Sequence, residues 1–342
     1  MPSLLGTDLP LIQAPMAGVQ GSALALAVCG AGGLGSLPCA MLPADALRRE
    51  LDALRDGTSR PFNLNFFCHR PPTADEAREQ AWRDALAPYY REAGLDPDAV
   101  PAAVSRVPFD ARTAHVVEAY RPAVVSFHFG LPAPDLLAQV KAWGSTVLAS
   151  ATTLDEARWL EARGVDAVIA QGLEAGGHRG HFLSDDATRE AGTFALLPQL
   201  VRALRVPVVA TGGIADARGV AAALALGASA VQVGTSYLLC DEATTHAVHR
   251  AALRSDAVAH TALTNLFSGG LARGIVNRLM RELGPISPLA PPFPLAAAAI
   301  APLRAHAERA GRGDFSPLWA GQDASGCREI GAAELTRELA GA

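Results

Sequence analysis

Cysteine is scarce in this 342-residue chain, and its five copies (Cys29, Cys39, Cys68, Cys240 and Cys327) are scattered, with no C-x-x-C pair. An odd, widely spaced set excludes a zinc cluster and a disulfide framework, and it fits small thiols kept reduced in a core. Blocks of Lys or Arg are also missing. The net charge is −5 and the pI is about 6.0, which argues against a nucleic-acid or anionic-membrane surface. No long apolar run is present. The longest, "PLAPPFPLAAAAIAPL", falls short of the roughly 20 residues a membrane span needs and is broken by prolines. The opening "MPSLLGTDLP" has neither a basic start nor a continuous apolar stretch, so it does not read as a signal peptide. Together these absences predict a cytoplasmic protein.

What the chain does have is apolar residues, at 50% of the total, enough for a large core. Length alone leaves one barrel or two domains open. The order along the chain decides. Short apolar runs rich in β-branched residues alternate with segments of helical period. The strand-like runs are "LIQAPM", "GLGSLP", "FNLNFF", "VVSFHF", "TVLASA", "AVIAQG", "VPVVATGG" and "AVQVGTSYL". Helical segments include "LPADALRRELDAL", "APDLLAQVKAW" and "DARGVAAALALG". In "TLDEARWLEARG", Leu154, Ala157, Leu160 and Glu161 fall at helical spacing after Thr153, and Gly164 is a natural stop. The strand runs are apolar on both faces, as in a parallel sheet covered by helices.

Eight such units predict a (β/α)8 barrel. A doubly wound sheet is the rival, but it places its nucleotide glycines after the first strand, whereas here they follow the last two. The "GGLGSL" run near the start is not in G-x-G-x-x-G register behind a strand, and it reads as a tight connection. More than fifty residues separate "FNLNFF" from "VVSFHF", room for two helices, "ADEAREQAWRDALAPYYREAG" being the clear one. The expected division is a barrel over residues 1–240, a helical subdomain over the barrel mouth at 241–325, and a closing C-terminal helix within 326–342, near Ala332 to Leu339.

Active sites of such barrels form where strands end. The seventh run ends in Thr211, Gly212 and Gly213, and the eighth in Gln232, Val233, Gly234 and Thr235. Paired glycines let backbone N–H groups approach a phosphate, and the Thr235 hydroxyl adds a donor. Either motif alone could be a plain tight turn; two of them, at the last two strands, favour a phosphate cradle. The first run leaves Gln13, Ala14, Pro15, Met16 and Ala17, a flat backbone surface for a planar ring or, equally, an ordinary strand end. Asn63 and Asn65 share a face of the third run, with Asn65 nearer the site. In the fourth, Ser126 and His128 share a face, and His128 reads as well as a satisfied core histidine. The sixth run leads into "AQGLEAGGHRGHF". Gln171 ends the strand, Gly176 and Gly177 turn the loop, and His178 projects as a candidate base or cation. Arg179 and His181 are given no site role.

These stretches, "LIQAPMAG", "FNLNFF", "SFHFGLP", "ASATTLDEARWLEARGVDAVIAQGLEAGGHRG", "ATGGI", "VQVGTS" and "LWAGQ", resemble in order the motifs of class I nitronate monooxygenases, formerly called 2-nitropropane dioxygenases. The resemblance runs from Leu9 to Leu239 and is most specific over the fifth and sixth runs. It implies an FMN-dependent barrel that oxidises alkyl nitronates, such as propionate 3-nitronate, with O2 to a carbonyl compound plus nitrite or nitrate. By motif position it implies FMN contacts from Asn65, Gln171, Gly176, Gly213 and the Gln232–Thr235 run, with His178 as the catalytic histidine. Two enzymatic alternatives share the barrel. A flavin-dependent enoyl-ACP reductase has a similar "EAGGH" loop but tends to lack "QAPMAG", and "HRG" is unusual in it. The other is an NAD(P)H:quinone reductase. A non-catalytic flavin or phosphate binder would have no use for His178. The sequence does not fix whether the chain acts as a monomer or a homodimer.

Overall fold

In the computed structural model, which describes residues 2–73, 75–97 and 106–341, each of the eight runs forms a strand. They are β1 (Leu11–Gln13), β2 (Gly35–Pro38), β3 (Phe62–Phe67), β4 (Val124–His128), β5 (Thr146–Ala151) and β6 (Ala167–Gln171), then, after a short β7 (Gly177–His178), β8 (Val208–Thr211) and β9 (Ala230–Val233). Pairing is parallel throughout, in the order β1-β9-β8-β6-β5-β4-β3-β2. A parallel bridge from Ile12 to Leu34 and the bonds Leu34 N–H to Leu11 O (2.9 Å) and Gln13 N–H to Leu34 O (3.0 Å) join its two ends. The sheet is the expected (β/α)8 barrel. Its interior is filled by Ile12, Leu34, Val124, Leu148, Ile169 and Val209, with Leu5 of the N-terminal turn among them. A second apolar layer lies between strands and helices.

Helix starts follow the local chemistry. Thr153 accepts a hydrogen bond from Glu156 N–H (3.3 Å), Asp110 from Thr113 N–H (2.8 Å) and Asp216 from Gly219 N–H (2.8 Å). The helix Leu154–Glu161 buries Ala157 and Leu160, and Gly164 beyond it takes φ +80°, the left-handed stop glycine supplies cheaply. The predicted pair of helices between β3 and β4 is Glu76–Glu92 and Ala111–Glu118; Ala74, at the head of the first expected segment, lies outside the described residues. The first of them packs on the C-terminal part of the chain. Trp82 donates to Ala296 O (3.3 Å) and Tyr90 to Ala299 O (2.7 Å), inside an apolar cluster with Met280, Ile300 and Leu303.

The stretch read as helical, 241–325, holds the helices Ala247–Leu253, Arg278–Glu282 and Ala297–Arg309, but also strands β10 (Thr261–Thr264) and β11 (Ala272–Ile275). These form an antiparallel sheet in the order β10-β11-β7. "TALT" and "ARGI" are too short for alternation to register, and their pairing is fixed by a distant loop rather than by local pattern. The closing helix spans Ala332–Leu339 and seals the barrel's outer side, where Thr336 shares a hydrogen bond with buried Tyr237 (2.8 Å). No helix among the described residues is long and apolar enough to cross a membrane.

One close approach generates a prediction. A Cβ on Gly35 would stand 2.1 Å from Ala25 O, in the helix Ser22–Gly30. Backbone cannot give way as a side chain can. Gly35→Ala is therefore expected to cost about 3 kcal/mol in urea unfolding, near the upper end for overpacking. An unchanged midpoint would mean that this helix shifts freely on the sheet.

Candidate active site

The loop behind β6 is built by side-chain bonds. Arg179, 0% exposed at its side chain, donates from Nε to Glu190 (2.6 Å), from Nη1 to Gly172 O (2.9 Å) and from Nη2 to Gln171 O (2.9 Å). His181 holds the other Glu190 oxygen (3.0 Å). Burial works against the Glu190 charge, but His181 and Arg179 outweigh it and hold the carboxyl below its ordinary range. Arg273, also buried, donates to Leu173 O (3.0 Å). Glu156 accepts from Phe182 N–H (2.7 Å) and Leu183 N–H (3.2 Å). Gly176 has no room for a side chain, because a Cβ there would meet the Ala320–Gly321 peptide at 2.5 Å. Gly177 takes φ +74° with open space around it, a conformation that favours glycine.

His178 sits at the tip, its backbone in β7 and registered with Ala272 of β11. Its carbonyl accepts from Gln171 Nε2 (3.0 Å) and from His128 Nε2 (3.2 Å). A carbonyl only accepts, so His128 carries its proton on Nε2 and Nδ1 faces the Ser150 hydroxyl (2.6 Å). Burial pushes the His128 pKa down to about 4, so His128 is a neutral bracket. Of the two readings the sequence left open for it, the structure supplies the satisfied histidine. The His178 ring pairs through Nε2 with Ser268 Oγ (2.8 Å) and lies among Phe293 (5.2 Å), Trp319 (5.4 Å) and Phe129 (6.2 Å). Burial, then the positive charge of Arg106 and the imidazoles of His128 and His69, drives its pKa well below the ordinary value. His178 is neutral here.

The glycine turns follow β8 and β9 as expected. Gly212 and Gly213 both have positive φ, +116° and +67°. The N–H groups of Gly213 and Gly234 find no backbone acceptor among the described residues. Thr235 Oγ1 accepts from Gly321 N–H (2.9 Å), which leaves its proton to donate. Gln232 Oε1 is buried and unpartnered. A buried carbonyl in that position calls for a donor. Asn65 Nδ2 donates to Ser126 Oγ (3.0 Å), whereas Asn63 turns to Ser36 (3.0 Å). Ala14 N–H is tied to Val233 O (2.7 Å) and Met16 N–H to Gln20 (2.9 Å), with Pro15 between them.

Ala14, Pro15, Met16, Asn65, Gln171, Gly176, Gly177, His178, Gly212, Gly213, Gln232, Gly234 and Thr235 all line one cavity of about 280 Å³. Of the residues singled out in the sequence for the site, Val233 is the one that does not line it; it is buried in the layer behind β9. Several contributors escaped sequence reasoning: Arg106, Trp319, Arg304 and His249 from the lining, and Ser268 and Phe293 against His178. They come from irregular segments or from helices far along the chain, with no strand-end pattern to mark them. Only "LWAGQ", which carries Trp319, had drawn attention.

Comparison with known proteins adds a family. A family model described as Nitronate monooxygenase matches residues 1–341. A nitronate monooxygenase of Paraburkholderia phytofirmans is 47% identical over 98% of this chain and 92% of its own length. One of Pseudomonas aeruginosa is 46% identical over 98% of this chain and 96% of its own. Among solved structures, a nitroalkane oxidase from Streptomyces ansochromogenes superimposes with a TM-score of 0.89 at 39% identity, covering 99% of this chain and 96% of that one.

The clamp on the loop is testable by itself. Arg179→Met would leave Glu190 buried without its guanidinium, an expected loss of about 3–5 kcal/mol in unfolding. Hydrogen exchange over residues 172–181 should quicken more than over β5. Arg179→Met with Glu190→Gln should recover part of the loss, because no unpaired charge remains. Equal stability of the single and double variants would count against the pair as the clamp.

Proposed function

The chain belongs to the nitronate monooxygenase family, and from that premise we propose that it binds FMN and oxidises alkyl nitronates, propionate 3-nitronate included, with O2 to a carbonyl compound plus nitrite or nitrate. The observation that carries this reading is a half-buried His178, its pKa pushed well down, sharing one cavity with the glycine turns at Gly213 and Gly234. The residues fit a flavin mononucleotide. The free N–H groups of Gly213 and Gly234 and the Thr235 hydroxyl suit one phosphate. The unpartnered Gln232 oxygen, with the amides of Asn65 and Gln171, suits a heterocycle edge. The backbone of Ala14, Pro15 and Met16, with Gly176, Gly177 and Gly212, gives surfaces a planar ring can approach, and Val233 carries the β9 backbone that holds Ala14. When bound, the flavin supplies the electron-transfer chemistry.

The protein's own part is position and proton handling. A nitronate already has its carbon deprotonated, so nothing need leave carbon before oxidation. A neutral nitroalkane differs, and there His178, kept neutral by burial, can accept the α-proton. Ser268 holds its ring and His128 and Gln171 hold its carbonyl, so the ring cannot swing away. Phe129, Phe293 and Trp319 pack around it. The five free cysteines fit a cytoplasmic setting, and we read the chain as a barrel to about residue 240 with the following segments closing over its mouth.

The purified protein should be yellow and should release FMN, not FAD, on denaturation. Adding propionate 3-nitronate under anaerobic conditions should bleach it, and NADH or NADPH should not; the reverse pattern would point to one of the two reductase readings. Gly213→Asp should fold, since Asp tolerates a left-handed backbone, yet lose FMN, because its carboxylate would repel the phosphate. Stoichiometric FMN in that variant would place the cradle on another loop.

His178→Asn keeps a polar side chain and removes the basic nitrogen. With FMN content equalised, kcat/KM for neutral nitroethane should fall roughly 10²-fold or more, while its nitronate should suffer less. For the wild-type protein, the nitroethane rate should hold as pH falls through the ordinary imidazole range and drop only well below it, because the His178 pKa is depressed. Equal losses on both substrates would remove the proton-abstraction role.

A further inference from the structure

Ser268 reaches the site through the small antiparallel sheet. It sits in the turn between β10 and β11, and β11 pairs with β7, whose His178 stands opposite Ala272. One sheet therefore carries both the histidine and the hydroxyl that meets it. The turn has little freedom. Gly269 N–H donates to Asn265 O (2.8 Å), and the Asn265 amide exchanges bonds with the Ser287 N–H and carbonyl (2.9 Å each). Gly269 takes φ +88°, and a Cβ on it would stand 2.0 Å from Pro291 O. Leu266 and Phe267 anchor the turn in an apolar cluster, and Ser268 itself is 2% exposed.

His178 lines the cavity and Ser268 does not. Nε2 of the ring, 2.8 Å from Ser268 Oγ, is thus turned to the wall. Nδ1 bonds no described residue and is not sealed in the interior, so it is the nitrogen left to the cavity. The Ser268 hydroxyl has one proton and two places for it, Nε2 or Gly270 O (3.4 Å). We propose that Ser268 gives its proton to Gly270 O and accepts the Nε2–H of His178, which fixes the tautomer and leaves Nδ1 as the bare nitrogen facing the cavity. A buried N–H without an acceptor is costly, and the Ser268 oxygen is the acceptor that Nε2 meets. The consequence rests on the reaction proposed above. The α-carbon of a neutral nitroalkane gives its proton to Nδ1, its electron pair enters a C=N bond, and the negative charge moves to the nitro oxygens. The ring becomes an imidazolium. Its Nε2–H already points at Ser268, so the new charge meets a hydrogen bond in place and no group has to turn. Ser268 is a positioning residue that acts through the ring.

The test reads the tautomer directly, by nitrogen NMR on FMN-loaded protein with isotope-labelled histidine rings. The His178 signals are those missing from His178→Asn. The wild-type ring should show Nε2 as the proton-bearing nitrogen and Nδ1 as the bare one. In Ser268→Ala the proton should move to Nδ1, where the cavity can solvate it. With FMN content equalised, kcat/KM of that variant for nitroethane should fall roughly 10- to 100-fold, the range set by one unsatisfied buried donor. Its loss on ethyl nitronate should be far smaller, since no proton leaves carbon. A proton on Nδ1 in the wild-type ring, an unchanged tautomer in Ser268→Ala, or equal losses on the two substrates would overturn the assignment. The expected tautomer in a wild-type protein that oxidises neither substrate would instead overturn the proposed reaction and leave the role of Ser268 on the ring standing.

Discussion

The ion pair between Arg179 and Glu190 is the constraint on which the site depends. Beyond Gln171 the barrel ladder ends, and the chain must still carry His178 to a fixed point. Arg179 meets this need with three donors in one rigid plane: one to Glu190 and two to the carbonyls of Gln171 and Gly172. The Gly172 carbonyl also accepts from Ala175 N–H (3.1 Å), so the guanidinium joins the strand end to the turn that follows it. Both charged side chains are almost completely enclosed, at 0% and 1% exposure. A buried pair of this kind adds little net stability. What it supplies is a single arrangement, because any other leaves a charge uncompensated. His181 on Glu190, Arg273 on Leu173 and the β7–β11 pairing extend the same lock.

That hierarchy explains what the sequence disclosed. The eight barrel strands announce themselves because both faces are buried, so their apolar runs are continuous and are punctuated by glycine. The helix Leu154–Glu161 is legible from Thr153, Ala157, Leu160 and Gly164, each doing locally what its residue type prefers. The glycines after β8 are visible because both take a positive φ that favours glycine. Arg179 was passed over because a lone arginine in a polar loop looks like a surface residue; its partner Glu190 stands eleven positions on, outside any helical or strand spacing. The small sheet was hidden for a related reason. "TALT" and "ARGI" acquire their pairing from each other and from Gly177–His178, across about ninety residues of chain.

Arg106 and the aromatic side chains around His178 were beyond reach for a further reason. Phe129 follows β4, Phe293 lies in the proline-rich break and Trp319 sits near the C-terminus, and only the folded barrel mouth brings the three together. Phe129 also takes φ +66°, a conformation unfavourable for a bulky side chain and met mainly where surrounding structure over-determines it. Nothing in "SFHFGLP" signals that strain.

The charges in the cavity divide two tasks that the sequence left to one residue. A histidine near an anionic substrate can attract it as a cation or deprotonate it as a base, but one ring cannot do both at the same pH. Burial and the neighbouring cation keep His178 neutral, which leaves its basic nitrogen available and removes it as an electrostatic anchor. The positive charge is carried by Arg106, a group that cannot lose its proton in the working range. Its field also lowers the His178 pKa, which keeps the ring neutral but makes it a weaker base. On the proposed function, a ring held neutral suits a neutral acid, while the charge beside it stays in place for an anion at any working pH.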